Sequence, residues 1–125
     1  MSEVIFTKNA PAAVGPYSQA IKVDNVVYCS GQIPLIPETG ELVKGTIQEE
    51  THQSMKNVSA VLKEVGSDFT KVVKTTVYLT DMNDFAAMNE VYAEYFSEHR
   101  PARSCVAVKE LPKGARVEVE VLVVL

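Results

Sequence analysis

An arginine and a cysteine stand two residues apart in the segment Pro101 to Val108, at the start of a predicted strand. Strand side chains alternate between two faces, so Arg103 and Cys105 share one face. A guanidinium binds a carboxylate through two parallel hydrogen bonds, and the spacing therefore predicts a pocket for a small carboxylic acid. The alternative is a surface arginine beside a small buried hydrophobic residue, because free cysteine commonly packs in cores.

Glu118 is the acidic residue that could act beside this pair. The last predicted strand, 116–124, alternates glutamate with valine, so one face is acidic and the other apolar. If this strand formed a hairpin with the strand 103–108, Glu118 would lie opposite Cys105 to within about one residue of register. The hairpin then places Arg103, Cys105 and Glu118 in one pocket. The alternative is that Glu118 is an ordinary solvated strand residue.

Cysteine and histidine are too sparse to suggest metal chemistry. Cys29 and Cys105 are the only cysteines, and His52 and His99 are the only histidines. They form neither a CxxC pair nor an HExxH pattern, so we expect reduced thiols and no metal site. Cys105 could be a covalent nucleophile, but no histidine stands at an obvious position to act as its base.

Helix and strand signals indicate the elements that position these residues. Thr46 followed by Glu49 is a capping box, and apolar residues then recur at helical steps up to Gly66. A second helix carries an aromatic face from Phe85 until Pro101 stops it. Apolar β-branched runs predict strands, which cover 4–7, 23–31 with a turn at 24–25, 72–80, 103–108 and 116–124.

This order of elements predicts an α+β domain, with both helices against one face of a mainly antiparallel sheet. From Leu122 onward both faces of the last strand are apolar. A sheet with one solvated face does not explain that pattern, so something else must cover this end. A homo-oligomer packing sheet on sheet would do so, and would place sites at subunit boundaries.

Length and composition narrow the class of protein. The 125 residues suit one domain, residues 1–125, and 46% hydrophobic with 22% charged residues disfavours disorder. The net charge of -4 disfavours a sequence-independent grip on nucleic acid. No segment approaches the roughly 18 apolar residues of a membrane span, and the first nine residues resemble no targeting peptide. We therefore expect a cytoplasmic protein.

Short motifs spread over nearly the whole chain carry a family resemblance. They are Gly15 to Gln19, Ser30 to Pro34, Asn89 with Val91 and Tyr92, Pro101 to Cys105, and Glu118. Together they resemble the YjgF-type reactive intermediate deaminase (Rid) family, in its archetypal RidA branch. The closing motif is the most specific, because proline, alanine, arginine, serine and cysteine are followed at the family's spacing by a glutamate of the last strand.

The resemblance implies a chorismate-mutase-like α+β fold and a homotrimer with three sites in the clefts between subunits. Members of this branch hydrolyse 2-iminobutanoate and 2-iminopropanoate, formed from enamines that amino acid dehydratases release, to 2-oxo acids and ammonia. This is a metabolite damage-control role. No organic cofactor is implied, because protonated imines are already electrophilic.

The resemblance also implies roles for particular residues. Arg103 would hold the substrate carboxylate, and Glu118 would position and activate the attacking water. The backbone at Gly31 and Cys105 would orient the imine and the carboxylate. Three further residues would shape the pocket, namely Tyr17, Ser30 and Asn89. Two of these have simpler alternatives, since the tyrosine could be a lid on the core and the asparagine could face solvent.

A binding protein is the main alternative to an enzyme. Members of the family have also been described as holdase-like chaperones and as translation inhibitors with endoribonuclease activity. A noncatalytic small-ligand sensor or chaperone therefore stays open. Ribonuclease action has little support, because this acidic chain has neither a histidine pair nor a basic aromatic surface.

Overall fold

A computed structural model describes residues 2–125 as six strands and two α-helices. In chain order they are β1 (Ser2–Ile5), β2 (Ala20–Val23), β3 (Val26–Cys29), α1 (Ile47–Glu64), β4 (Val72–Leu79), α2 (Phe85–Tyr95), β5 (Ala102–Ala107) and β6 (Val117–Val124). Every element predicted from the sequence is present, with ends that differ by a few residues, but of β2 only Val23 fell within a predicted strand.

The strands form one sheet in the order β1-β2-β3-β6-β4-β5. All neighbouring strands are antiparallel except β4 and β5, which are parallel. The predicted hairpin of β5 with β6 is wrong, because β4 lies between them. Helix α2 connects β4 to β5 as the crossover that a parallel pair requires. The sheet is therefore mixed and mainly antiparallel.

The ends of α1 follow from its capping residues. The Thr46 hydroxyl accepts a hydrogen bond from the Glu49 N–H at 3.1 Å, and the Glu49 carboxylate accepts one from the Thr46 N–H at 3.0 Å. Beyond the helix, Gly66 has a φ of 71°, and its N–H donates to the Lys63 carbonyl at 3.0 Å. The predicted capping box and glycine end are both confirmed.

Helix α2 ends at Tyr95, well before the proline predicted to stop it. The chain leaves the helical region at Phe96, where φ is -122°, and the ring of Phe96 turns into the core. The helix thus ends before Pro101, so the prediction that this proline stops it is wrong. Within residues 2–125, neither helix is long and apolar enough to cross a bilayer.

Both helices cover the same face of the sheet. One apolar cluster includes Met55 and Leu62 of α1, Met88 of α2 and the inward side chains of β4 and β6. The opposite face, which neither helix covers, exposes a set of large apolar side chains. They are Val4, Val23, Tyr28 and Val106. The predicted α+β class, with two helices on one face, is confirmed.

Candidate active site in two half-sites

The predicted reactive residues lie on opposite faces of the sheet. Arg103 pairs with Thr75 of β4, which is fully buried on the helix-covered face. Cys105 follows two residues later and shares that face, as predicted. Glu118 pairs instead with Tyr78 of β4, so its side chain points to the other face. A single pocket formed by Arg103, Cys105 and Glu118 within one chain is therefore wrong.

Arg103 belongs to a cluster that we call the arginine half-site, formed with Phe85, Asn89 and Tyr92 of α2. Its Nη1 donates a hydrogen bond to Oδ1 of Asn89 at 2.6 Å. Its guanidinium carbon lies 4.7 Å from the ring centroid of Tyr92 and 5.5 Å from that of Phe85. The three helix residues are four and three positions apart, and so share one helix face. This face fixes the guanidinium through an amide and two cation–π contacts.

The positive charge of Arg103 is not neutralised by these contacts. Within residues 2–125, no carboxylate forms an ion pair with Arg103 at 4.0 Å or less. Arg103 lines a cavity of about 500 Å³ together with Asn89, Tyr92 and Arg100. A fixed guanidinium at the wall of a cavity, without an anionic partner, is suited to a carboxylate ligand.

Glu118 belongs to a second cluster, the glutamate half-site, formed with Tyr17, Ser30 and Gly31. These four residues line a cavity of about 250 Å³. Most further walls of this cavity are apolar, such as Val14, Ile33 and Leu35, and its other polar lining residues are Gln19, Gln32 and Lys113. The second cavity thus combines one carboxylate with a largely apolar surround, which is a common composition for a small-molecule site.

An irregularity in the pairing of β3 with β6 creates room for the glutamate half-site. The regular ladder ends at Tyr28 and Leu122, and pairing resumes with a bridge from Gln32 to Val119. Three residues on one strand therefore face two on the other, which is a β-bulge. Gly31 lies in this bulge, where an added Cβ would be 2.2 Å from Oε2 of Glu118. A side chain at position 31 would therefore displace the Glu118 carboxylate, and only glycine avoids this.

Gln19 has a supporting role that the sequence analysis did not identify. Its buried side-chain amide accepts a hydrogen bond from the Thr7 N–H at 2.7 Å and donates to the Thr7 and Pro11 carbonyls at 3.0 and 2.8 Å. These bonds hold residues 7–11, the segment that precedes Tyr17 of the glutamate half-site, in place. Ser30 is held similarly, because its hydroxyl donates to the Ser18 carbonyl at 2.6 Å. The Gly15 to Gln19 motif was the sequence signal for this region.

Burial alters the proton affinity of the acidic and thiol groups. The pKa of Glu118 is raised chiefly by burial and secondarily by the charge of Glu120. A carboxylate with a raised pKa is a stronger base toward water near neutral pH. Burial also raises the pKa of Cys29 to about 12, and it raises the pKa of Cys105 although Arg103 opposes the shift. Neutral thiols argue against Cys105 as a nucleophile.

The remaining predicted residues also divide between the half-sites. Tyr17 is 54% exposed, so it is not a lid on the core. Asn89 is half-buried and bonded to Arg103, so it does not simply face solvent. Cys105 packs partly against the core beside the arginine half-site. Among the described residues, no three His, Cys, Asp or Glu side chains gather as metal ligands would.

Comparison with known proteins identifies the class to which this fold and these half-sites belong. Residues 7–125 match the family described as Endoribonuclease L-PSP. The chain is 56% identical over 122 residues to a RutC family protein of Pyrococcus horikoshii, covering 98% of this chain and 97% of the relative. It is 52% identical over 122 residues to the 2-iminobutanoate/2-iminopropanoate deaminase of Mus musculus, covering 98% and 90% of the two chains.

A solved structure agrees with this match. The crystal structure of Escherichia coli TdcF with bound serine has a TM-score of 0.93 to this fold at 42% identity, and the match covers 98% of each chain. The protein therefore belongs to the Endoribonuclease L-PSP family, which is the YjgF-type (Rid) family that its motifs resemble.

Proposed function

We propose that this protein hydrolyses 2-imino acids such as 2-iminobutanoate and 2-iminopropanoate to 2-oxo acids and ammonia. The proposal depends above all on Arg103, whose fixed guanidinium has no carboxylate partner among the described residues and suits a small carboxylic acid. The mouse relative is named for this activity. The E. coli relative holds serine, which is itself a small carboxylic acid.

The proposed chemistry needs one cation and one base. Arg103 binds the C1 carboxylate and so holds the neighbouring imine carbon in place. Glu118 accepts a proton from a water molecule, whose oxygen bonds to C2 of the protonated imine. Glu118 returns that proton to the nitrogen of the carbinolamine and then takes the proton of the new hydroxyl group as the C–N bond breaks, so that ammonia leaves and the 2-oxo acid remains. Because the protonated imine is already electrophilic, these steps require no cofactor.

A complete site in this proposal requires two copies of the chain. Arg103 and Glu118 lie on opposite faces of one sheet, so one chain does not present both to a small molecule. The face that carries Glu118 also leaves Tyr28 52% and Val106 43% exposed. Packing this face against another copy would cover these side chains and could join the two half-sites. We propose the chorismate-mutase-like homotrimer that the family resemblance implies.

The other site residues would orient the substrate rather than react with it. Asn89 holds one nitrogen of the guanidinium and leaves its other N–H groups for the ligand. Tyr17 and Ser30 shape the cavity beside Glu118. The backbone at Gly31 and Cys105 would contribute hydrogen bonds to the imine and the carboxylate.

A coupled assay tests this function directly. Threonine dehydratase would generate the imine under conditions in which free imine decays slowly, and release of 2-oxobutanoate would be followed with and without the native chain. We expect the native chain to accelerate release, while an equal amount of unrelated protein does not. Absence of acceleration by folded native protein would contradict imine hydrolysis and favour a noncatalytic ligand sensor, because the arginine half-site could bind a carboxylate without turnover.

Gly31→Ala should damage the proposed site without removing a reactive group. The new methyl group would meet the Glu118 carboxylate, so we expect kcat to fall by about tenfold or more as that base is displaced. The fold should change little, because the atoms in conflict belong to the end of a flexible side chain. Thermal unfolding followed beside the kinetic assay would check this separation. A native kcat in the alanine variant would contradict the placement of Glu118.

A further inference from the structure

We propose that a buried hydrogen bond between Thr75 and Tyr92 positions Arg103 for its carboxylate ligand. Thr75 is fully buried, and Tyr92, although it borders the cavity, directs its hydroxyl to Thr75, so both would act through the guanidinium. The inference rests on the proposed function for its kinetic consequence. The effect of the Thr75–Tyr92 hydrogen bond on carboxylate binding can be measured separately from turnover.

Three contacts connect Thr75, Tyr92 and Arg103 to one another. Thr75 of β4 and Arg103 of β5 are direct partners in the parallel ladder. The Thr75 and Tyr92 hydroxyl oxygens are 2.8 Å apart, and the Tyr92 ring centroid lies 4.7 Å from the guanidinium carbon of Arg103. Because the ladder holds the two backbones, the hydroxyl bond fixes the ring relative to β5. The ring in turn limits where the guanidinium can rest.

Burial makes this bond a persistent one. Thr75 is fully buried and Tyr92 is 8% exposed, so water competes little for either hydroxyl. The pKa of Tyr92 is raised, chiefly by burial, against the opposing effects of the Thr75 bond and the Arg103 charge. The phenol is therefore neutral at pH 7. Tyr92 attracts the guanidinium through its ring face and does not neutralise the charge that a ligand would need.

The other contacts of the Tyr92 ring are less directional. Phe96 packs against it at a centroid distance of 4.8 Å and an interplanar angle of 40°. Such apolar contact fills space but permits small rotations, whereas a hydrogen bond prefers a narrow range of angles. Loss of the Thr75 bond should therefore let the ring tilt. The guanidinium would then no longer present its N–H groups along the two lines that a carboxylate requires.

Two conservative variants and their combination separate positioning from simple stabilisation. Thr75→Val and Tyr92→Phe each keep the side-chain shape but leave one buried hydroxyl without its partner. The double variant leaves neither, so it should regain most of the thermal stability lost in the single variants. If the bond only stabilised the fold, ligand binding would recover together with stability. If it positions Arg103, binding should stay weak in the double variant.

The probe for binding is 2-oxobutanoate, titrated calorimetrically into the native chain and each variant. We expect the single and double variants to raise Kd by about 5- to 20-fold, because a guanidinium displaced by a fraction of an ångström loses bidentate geometry. In the kinetic assay, KM should rise more than kcat changes.

Tyr95→Phe is the matched control. Tyr95 also lies on α2, and its hydroxyl is 3.0 Å from Nδ1 of His52, away from the arginine half-site. This variant should bind 2-oxobutanoate with native affinity.

Two results would overturn the inference, namely native affinity in the stable double variant and failure of the native chain to bind 2-oxobutanoate. If the native chain binds this probe but hydrolyses no imine, the proposed function fails. The effect of the variants on Kd would still decide whether Thr75 and Tyr92 position the arginine.

Discussion

Replacing Arg103 by alanine is expected to lower kcat/KM for imine hydrolysis by roughly 10²- to 10³-fold, because the substrate loses a bidentate, charge-assisted contact. Arg103→Lys keeps the charge but loses the planar fork, so its kcat/KM should lie close to that of the alanine variant. The coupled assay at several imine concentrations measures both. Thermal unfolding and the oligomeric mass should be checked, because Arg103 also packs on Tyr92 and Phe85. Native turnover by the lysine variant would contradict the bidentate role.

Mixing two inactive variants tests whether Arg103 of one chain acts together with Glu118 of another. Chains carrying Arg103→Ala and chains carrying Glu118→Gln would be unfolded together and refolded into mixed oligomers. In an equal mixture, half of the chains keep Arg103 and the other half keep Glu118. If each site takes one residue from each of two chains, about a quarter of the sites should have both, and about a quarter of native activity should return. Activity that stays absent in properly assembled mixed oligomers would show that the two residues do not act across an interface between copies.

Glu118→Gln should lower kcat by about 10²- to 10⁴-fold, since glutamine preserves the size of the side chain but does not accept the proton of water. KM should change less than kcat, because Arg103 still binds the carboxylate. Glu120→Gln is the matched control, two residues further along β6 and on the same face of the sheet. A loss confined to KM would instead assign Glu118 to substrate binding.

The pH dependence of kcat/KM follows from the same residue. Glu118 acts as a base only when ionised, and its raised pKa places the acid limb of the profile at a higher pH than an ordinary glutamate would. Activity should therefore rise with pH through the raised pKa. Glu120→Gln removes the second cause of the shift, so the limb should move to lower pH. A movement to higher pH in that variant would contradict the assignment.

Local sequence patterns predicted the elements and their faces correctly where neighbouring residues decide them. The Thr46 and Glu49 capping box begins α1 because the bonds form within one helical turn. Arg103 and Cys105 share a face because strand side chains alternate whatever the strand pairs with. The same alternation buries the valines of β6 and turns Glu118 away from the core.

These local patterns did not predict correctly which strands pair with each other. Strands β5 and β6 follow one another in the chain and are joined by a loop, residues 108–116, so their residues suit a hairpin as well as two strands with a third between them. In the structure β6 lies between β3 and β4 with core valines along its length, whereas β5, which has no buried residue, lies at the edge of the sheet. Pairing with β3 does not cover the apolar end of β6, because Leu122 and its partner Tyr28 both lie on the face that the helices leave open.

The sequence by itself determined the residue types and the strand alternation from which Arg103 and Glu118 are proposed as carboxylate binder and base, because both are local properties. The tertiary structure alone decided that Arg103 and Glu118 lie on opposite faces of the sheet, through the insertion of β4 between their strands. It also decided that Asn89, Tyr92 and Phe85 hold the guanidinium, and that a bulge at Gly31 makes room for the carboxylate. Such contacts join residues far apart in the chain, and their geometry depends on how the helices and strands pack together.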